Sequence, residues 1–142
     1  MAPSRTTPST NSSTDSSAVG ALTDLDLVIL CGNLSSEPTV RDLPSGDRMY
    51  SYEVTVREND RPASSVPVVL FAATAPTLAP GARVAVVGRV RRRFFRAGGA
   101  TASRTEVVAD EVVWLRRRRD SERVVRSASR RLESSTGVAE CQ

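Results

Sequence analysis

Apolar and polar residues alternate in short runs separated by turn formers, the signature of strands rather than of long helices. Leu25–Leu34 (LDLVILCGNL) is apolar and partly β-branched, and Gly32 interrupts it, so a first strand with a bend or bulge at the glycine is expected. Cys31 lies in this apolar run and reads as a small core residue. Ser35–Pro38 forms a turn, Thr39–Leu43 a short extended piece, and Pro44-Ser45-Gly46-Asp47 a second turn. In Met49–Arg57, Tyr50, Tyr52, Val54 and Val56 share one face, while Ser51, Glu53, Thr55 and Arg57 share the other. The tyrosine face is expected in the core.

Val66–Phe71 (VPVVLF) is a third strand. Between Phe71 and Gly81, Pro76 and Pro80 limit the chain to at most a short helical turn. Ala82–Phe95 carries the longest strand signal, and Thr101–Leu115 pairs back with it across a turn at Arg96–Ala100. Five short strands with one brief helical insert between the third and fourth predict an all-β fold, a five-stranded Greek-key barrel of OB type. This domain spans residues 24–115 and is flanked by tails. Residues 1–23 are rich in Ser and Thr and hold too little apolar surface to offset ordering, so a disordered tail is expected. Residues 116–142 form an Arg-rich tail in which Val124, Val125, Ala128 and Leu132 give a weak helical pattern.

Composition narrows the chemistry. The 142-residue chain has no histidine, which excludes His-dependent triads and His-liganded metals. Its two cysteines, Cys31 and Cys141, make neither a metal-ligand pair nor a disulfide framework. No nucleotide loop or paired-carboxylate spacing is present, so no enzyme activity, cofactor or metal is expected. No apolar run approaches the roughly 20 residues that span a bilayer. The N-terminus lacks the apolar core of a secretory signal. A cytoplasmic protein is therefore expected, with no membrane partner.

All 20 cations are arginine, a planar fork suited to phosphates and to stacking on bases. The net charge of +4 is unevenly placed. Residues 24–115 hold 11 Arg and 11 Asp or Glu, whereas residues 116–142 hold 8 Arg and 4 acids. Local pattern therefore says more than total charge. In RVAVVGRVRRRFF, strand alternation puts Arg83, Ala85, Val87, Arg89, Arg91, Arg93 and Phe95 on one face. Three arginines then stand about 7 Å apart in a row that ends on an aromatic ring. Such a row can follow a phosphate backbone while the ring stacks on a base. It equally fits a solvated strand kept soluble by charge. Arg92 falls by parity with the core residues, which requires the strand to leave the barrel at that point. Trp114, at a strand end, reads as a packing residue.

From Asp24 to Leu115 the chain resembles bacterial single-stranded DNA-binding proteins of the replication type. The resemblance rests on the order and spacing of LVILCGNLSSEPTVRDLPSG, VPVVLF, GARVAVVGRVRRRFF and TEVVADEVVWL. It implies an OB-fold that assembles as a homotetramer, or a dimer, and binds single-stranded DNA without strong sequence preference. That activity serves replication, repair and recombination, with the protein at the nucleoid. Family positions that stack on bases match Phe71 and Phe95, and basic family positions match Arg91 and Arg93. With these, Arg57, Arg89 and Arg96 complete the candidate nucleic-acid contacts. The chain departs from the family in several places. Asp60 and Ser65 stand near two usual tryptophans, Glu53 faces away from the tyrosines, and the helical insert is short. The C-terminal STGVAECQ has no acidic, aromatic-containing tip, so the resemblance does not extend to recruiting repair enzymes through such a tip. Two other readings stay open: a primosome-type OB protein acting mainly in protein assembly, and an RNA-binding OB module.

Overall fold

The computed structural model describes residues 23–136. The Ser/Thr-rich segment up to residue 22, Cys141 and the final residues lie outside them. Six strands and one helix follow in order: β1 (Val28–Leu34), β2 (Thr39–Asp42), β3 (Arg48–Val56), β4 (Ser64–Ala72), β5 (Arg83–Ala97), β6 (Ala100–Trp114) and α1 (Arg118–Ser135).

The sheet runs β1-β5-β6-β4-β3-β2, and a further β1–β3 pairing closes it into a ring. β1 meets β3 at Leu34↔Val54, and β2 continues along the same strand from Thr39↔Ser51. The two segments are thus halves of one bent strand, broken at residues 35–38. Five barrel strands result, with β4 and β6 parallel and the other pairs antiparallel. This is the OB-type barrel expected from the strand pattern.

Strand alternation builds the core. Tyr50, Tyr52 and Val54 of β3 turn inward with Val68 and Leu70 of β4, Val84 and Val86 of β5, and Val107, Ala109 and Val112 of β6. Burying each such aliphatic side chain contributes about 1.5–3 kcal/mol. The 73–79 segment contains no helix, contrary to the expected short helical turn. Pro76 and Pro80 withhold amide donors there, and buried Leu78 joins the barrel core from an irregular segment instead. Cys31 is exposed, not a core residue. Leu30 and Val28 take the inward positions, so parity sends Cys31 outward, and an unbroken apolar run hides that parity in the sequence.

The largest departure from the expected tails is α1. Val124, with Ala128 also buried, packs the helix on Ala85, Val87 and Val113, the outward face of β5 and β6, beside Leu27 and Leu115. The Asp120 carboxylate accepts amide hydrogen bonds from Arg117 (2.8 Å) and Arg116 (3.0 Å), which close the first turn. Those two bonds hold its carboxyl below the usual range. Arg131 fastens the other end: Nη1 donates to Asp110 Oδ2 (2.6 Å) and to the Gly88 carbonyl (3.1 Å), and Nη2 to the Asp26 carbonyl (3.0 Å).

Candidate nucleic-acid interface

The β5–β6 hairpin is longer than the barrel it belongs to. β1 accompanies β5 only as far as Gly88, and β4 pairs with β6 only over Val107–Ala109. Beyond those limits the two strands pair with each other alone, out to Ala97↔Ala100. Gly98 and Gly99 close the arm with positive φ angles of 58° and 81°, which a two-residue hairpin of this hand requires. Alternation gives the arm two wet faces. Arg89, Arg91, Arg93 and Phe95 follow Ala85 and Val87 on one of them, and Val90, Arg92 and Phe94 follow Val84 and Val86 on the other. The exposure of Arg92 and Phe94 follows from the strand leaving the barrel.

Glu106 lies at the root of the arm, on the Arg91 face, and is 2% exposed. A carboxylate so buried needs paired donors. Arg91 donates to its Oε1 from Nε (3.1 Å) and Nη2 (2.5 Å), and Arg93 Nε stands 2.8 Å from the same oxygen. The Arg91 guanidinium also lies over the Phe71 ring, 5.4 Å from its centre, within cation–π range. Phe71 therefore presents a half-open ring, 39% exposed, beside the oriented Arg91 cation, which shares Glu106 with Arg93. One carboxylate neutralises one of those cations, so the pair delivers a single net positive charge at a fixed position. Arg93 continues into a shallow groove that Arg104, Ser51 and Glu53 also line. Glu53 is engaged there by the Ser65 hydroxyl (2.8 Å).

The structure thus brings together Phe71, Arg91 and Arg93. Phe95, 44% exposed, stands one step further out on the same face, with Arg96 next to it near the tip. Arg89 is exposed at the base of the row, in a hollow shared with Arg131 and Ser134 of α1. Arg57 does not join them. It follows the Val56↔Ser64 pair at the far end of β3, whereas Met49 at the near end faces Phe71.

Several residues of this region escape a reading of parity alone. Phe94 is the most exposed ring, at 67%, with the Arg92 guanidinium 5.0 Å from its centre. Arg92 in turn bonds the Ser103 hydroxyl at 3.0 Å. Trp114 is partly open, and Arg116 stacks 4.2 Å from its ring centre. The signal for Glu106 was the Gly-Gly turn: once it sets the register, Arg91 must face Glu106.

Comparison with known proteins agrees with this architecture. The model of the single-strand binding protein family matches residues 25–115. A single-stranded DNA-binding protein of Oceanobacillus iheyensis is 32% identical over 102 residues, which cover 64% of this chain and 63% of that protein. The chain therefore spans less than two thirds of that relative. A solved structure described as a Plasmodium falciparum SSB complex with ssDNA aligns at a TM-score of 0.57 and 18% identity, over 66% of this chain and 97% of the other. That likeness supports the fold. The matched span runs from just before β1 to just after β6, barrel and arm together, and the chain belongs to the single-strand binding protein family.

Proposed function

We propose that this protein binds single-stranded DNA without sequence preference, as a binding protein rather than a catalyst, and protects it during replication, repair or recombination. The observation that carries the reading is the Phe71 ring under Arg91, which Glu106 joins to Arg93 at the root of the arm. A ring offers a stacking surface to any base, and an adjacent guanidinium meets the phosphate, so neither contact reads sequence. Phe95, Arg89 and Arg96 extend the same surface along the arm. Family membership and the name of the Oceanobacillus relative favour the same ligand.

Self-association as a dimer or tetramer belongs to this proposal. Residues 28–32 of β1 pair with β5 on one side and have no strand partner on the other among the described residues. Exposed Ile29 lies there beside exposed Val125 and Leu132 of α1. An open strand edge next to apolar side chains favours pairing with a second copy. A cytoplasmic, nucleoid-associated location follows from the proposed ligand. No helix among the described residues is long and apolar enough to cross a membrane.

Titration of the protein with poly-dT, with a duplex of equal length and with an RNA of matching sequence tests the reading. Tight, salt-sensitive binding to poly-dT above the other two is expected. Preference for RNA or duplex, or no binding at all, overturns it. Light scattering of the same sample measures the assembly, and a monomer at working concentration removes the self-association.

A further inference from the structure

A second concentration of positive charge lies on α1, outside the barrel. Arg119, Arg123, Arg126 and Arg130 recur at intervals of four, three and four residues, so they form one stripe along the helix. At 1.5 Å per residue the stripe is about 16 Å long. All four side chains are exposed, on the side opposite Val124 and Ala128, which are buried against the barrel. Only Arg123 has a carboxylate partner, Glu111 at 2.6 Å. Arg119, Arg126 and Arg130 form no ion pair among the described residues, although Arg118 and Arg131 on other sides of the helix do. Like charges three and four residues apart destabilise a helix, so the stripe works against the fold unless a polyanion covers it.

Its position connects it to the arm. Ala85, Val87, Arg89, Arg91 and Arg93 alternate along one face of β5. α1 covers the first two, and Arg131 near its C-terminal end reaches the Gly88 carbonyl. Arg89 stands beside that end of the helix. The arginine row of the arm thus emerges from under α1 at the end where Arg130 begins the stripe.

We propose that α1 is a second phosphate-binding surface, on which a DNA strand leaving the arm at Arg89 continues along Arg130, Arg126, Arg123 and Arg119. This inference rests on the single-strand binding proposed above. Cations at steps of about 4.5–6 Å along a rod meet successive backbone phosphates. An anionic bilayer is the weaker fit. A membrane-surface helix inserts a broad apolar face, and here Val124 and Ala128 are committed to the barrel, which leaves only Val125 and Leu132 as exposed large apolar side chains of α1.

The test is the triple variant Arg119→Ala/Arg126→Ala/Arg130→Ala, which keeps Arg123 and Arg131 and their ion pairs. Wild type and variant are titrated with a dT strand of about 8 nucleotides, enough for one barrel, and with one several times longer, over a range of salt. On the long strand the variant should occlude fewer nucleotides, and its log–log salt slope should be shallower by about 2, at roughly 0.7 per lost contact. On the short strand the two proteins should agree. Equal slopes on the long strand, or equal losses on both strands, overturn the inference. Failure of the wild type on the short strand overturns the underlying function instead. Loss of binding to phosphatidylglycerol vesicles with unchanged DNA binding assigns the stripe to membranes and overturns the inference as well. A thermal melt of the variant at or above wild type shows that the helix remains docked.

Discussion

Arg91 and Glu106 face each other across the β5–β6 hairpin, with two hydrogen bonds converging on Glu106 Oε1 at 3.1 and 2.5 Å. The carboxylate lies in the sheet surface and the guanidinium over Phe71, so the contact aims a cation at the place where a base would stack. Preorganisation of this kind lowers the ordering cost of binding, while the shared carboxylate subtracts one unit from the local field.

Glu106→Gln separates those two effects. The amide keeps one acceptor but not the negative charge, so Arg91 and Arg93, both partly exposed, gain a net charge for phosphate. The salt slope on poly-dT should steepen by about 0.7, one extra phosphate contact. Stability should fall by about 1–3 kcal/mol as charge-assisted bonds are lost. Salt-dependent titration beside a urea melt reads both. An unchanged slope would show that these arginines do not meet phosphate.

Tyr52 carries the pH dependence. Its hydroxyl is buried without a hydrogen-bond partner among the described residues, in a side chain 4% exposed. Burial, with the nearby Tyr50, pushes its pKa from 10.0 up to about 12. The folded state therefore holds the proton more tightly than the unfolded chain. Its stability contribution is complete below pH 10 and is lost as pH rises towards 12, by about 2–3 kcal/mol. Tyr52→Phe should remove that decline and add about 1 kcal/mol at neutral pH, because an unsatisfied buried hydroxyl disappears. Chemical melts of both proteins between pH 8 and pH 12, roughly the window in which phenols titrate, provide the check.

Gly88 sits where β5 faces an irregularity in β6. Val87 pairs with Glu111 and Gly88 with Ala109, so Asp110 is the extra residue. A Cβ on Gly88 would overlap the Val108 carbonyl oxygen and come within 2.9 Å of the Ala109 Cα. Both obstacles are backbone and cannot step aside. Gly88→Ala should cost about 1–3 kcal/mol, a fall of roughly 10 °C in Tm for a domain of this size. The fraction that remains folded at low temperature should still bind poly-dT. A melt equal to wild type would show that the strands part easily at the bulge.

The barrel was legible in the sequence where a strand keeps one wet face. Tyr50 and Tyr52 alternate with Ser51 and Glu53, and both tyrosines are buried as that alternation requires. Where a strand is covered on both sides, alternation fails. Val84 to Val87 are all buried because the barrel takes the even residues and α1 the odd ones. The row that held the arginines therefore begins under a helix that charge patterning made look like a tail. In α1 six arginines obscure an apolar stripe only two buried residues wide, Val124 and Ala128. Arg57 was placed with the site by its type alone, since nothing local encodes its distance from Phe71. Glu106 needed the register, which a turn placed at the two glycines supplies and a five-residue turn does not.

The aromatic rings give the most direct test of the interface. Phe71, Phe95 and Phe94 are each at least 39% exposed, so none is part of the core, and Phe→Ala at any of them should leave the melt within about 1 kcal/mol of wild type. A core phenylalanine would cost about 3–5 kcal/mol instead. If a base stacks on Phe71 and another on Phe95, each truncation should weaken poly-dT binding by about 1–3 kcal/mol, roughly 5- to 150-fold. The salt slope should hold for Phe95→Ala, because no cation moves. For Phe71→Ala it should shift slightly, because Arg91 loses the ring beneath it. Phe94 decides which face of the arm the strand follows. It stands opposite Phe95 across β5, paired with Arg92 rather than with the Glu106 cluster. A strand that stays on the Arg91 face leaves Phe94→Ala at wild-type affinity. A loss at Phe94 equal to that at Phe95 would mean that the strand wraps the arm on both faces. Normal affinity in all three variants would remove stacking from the binding surface and leave only the arginines.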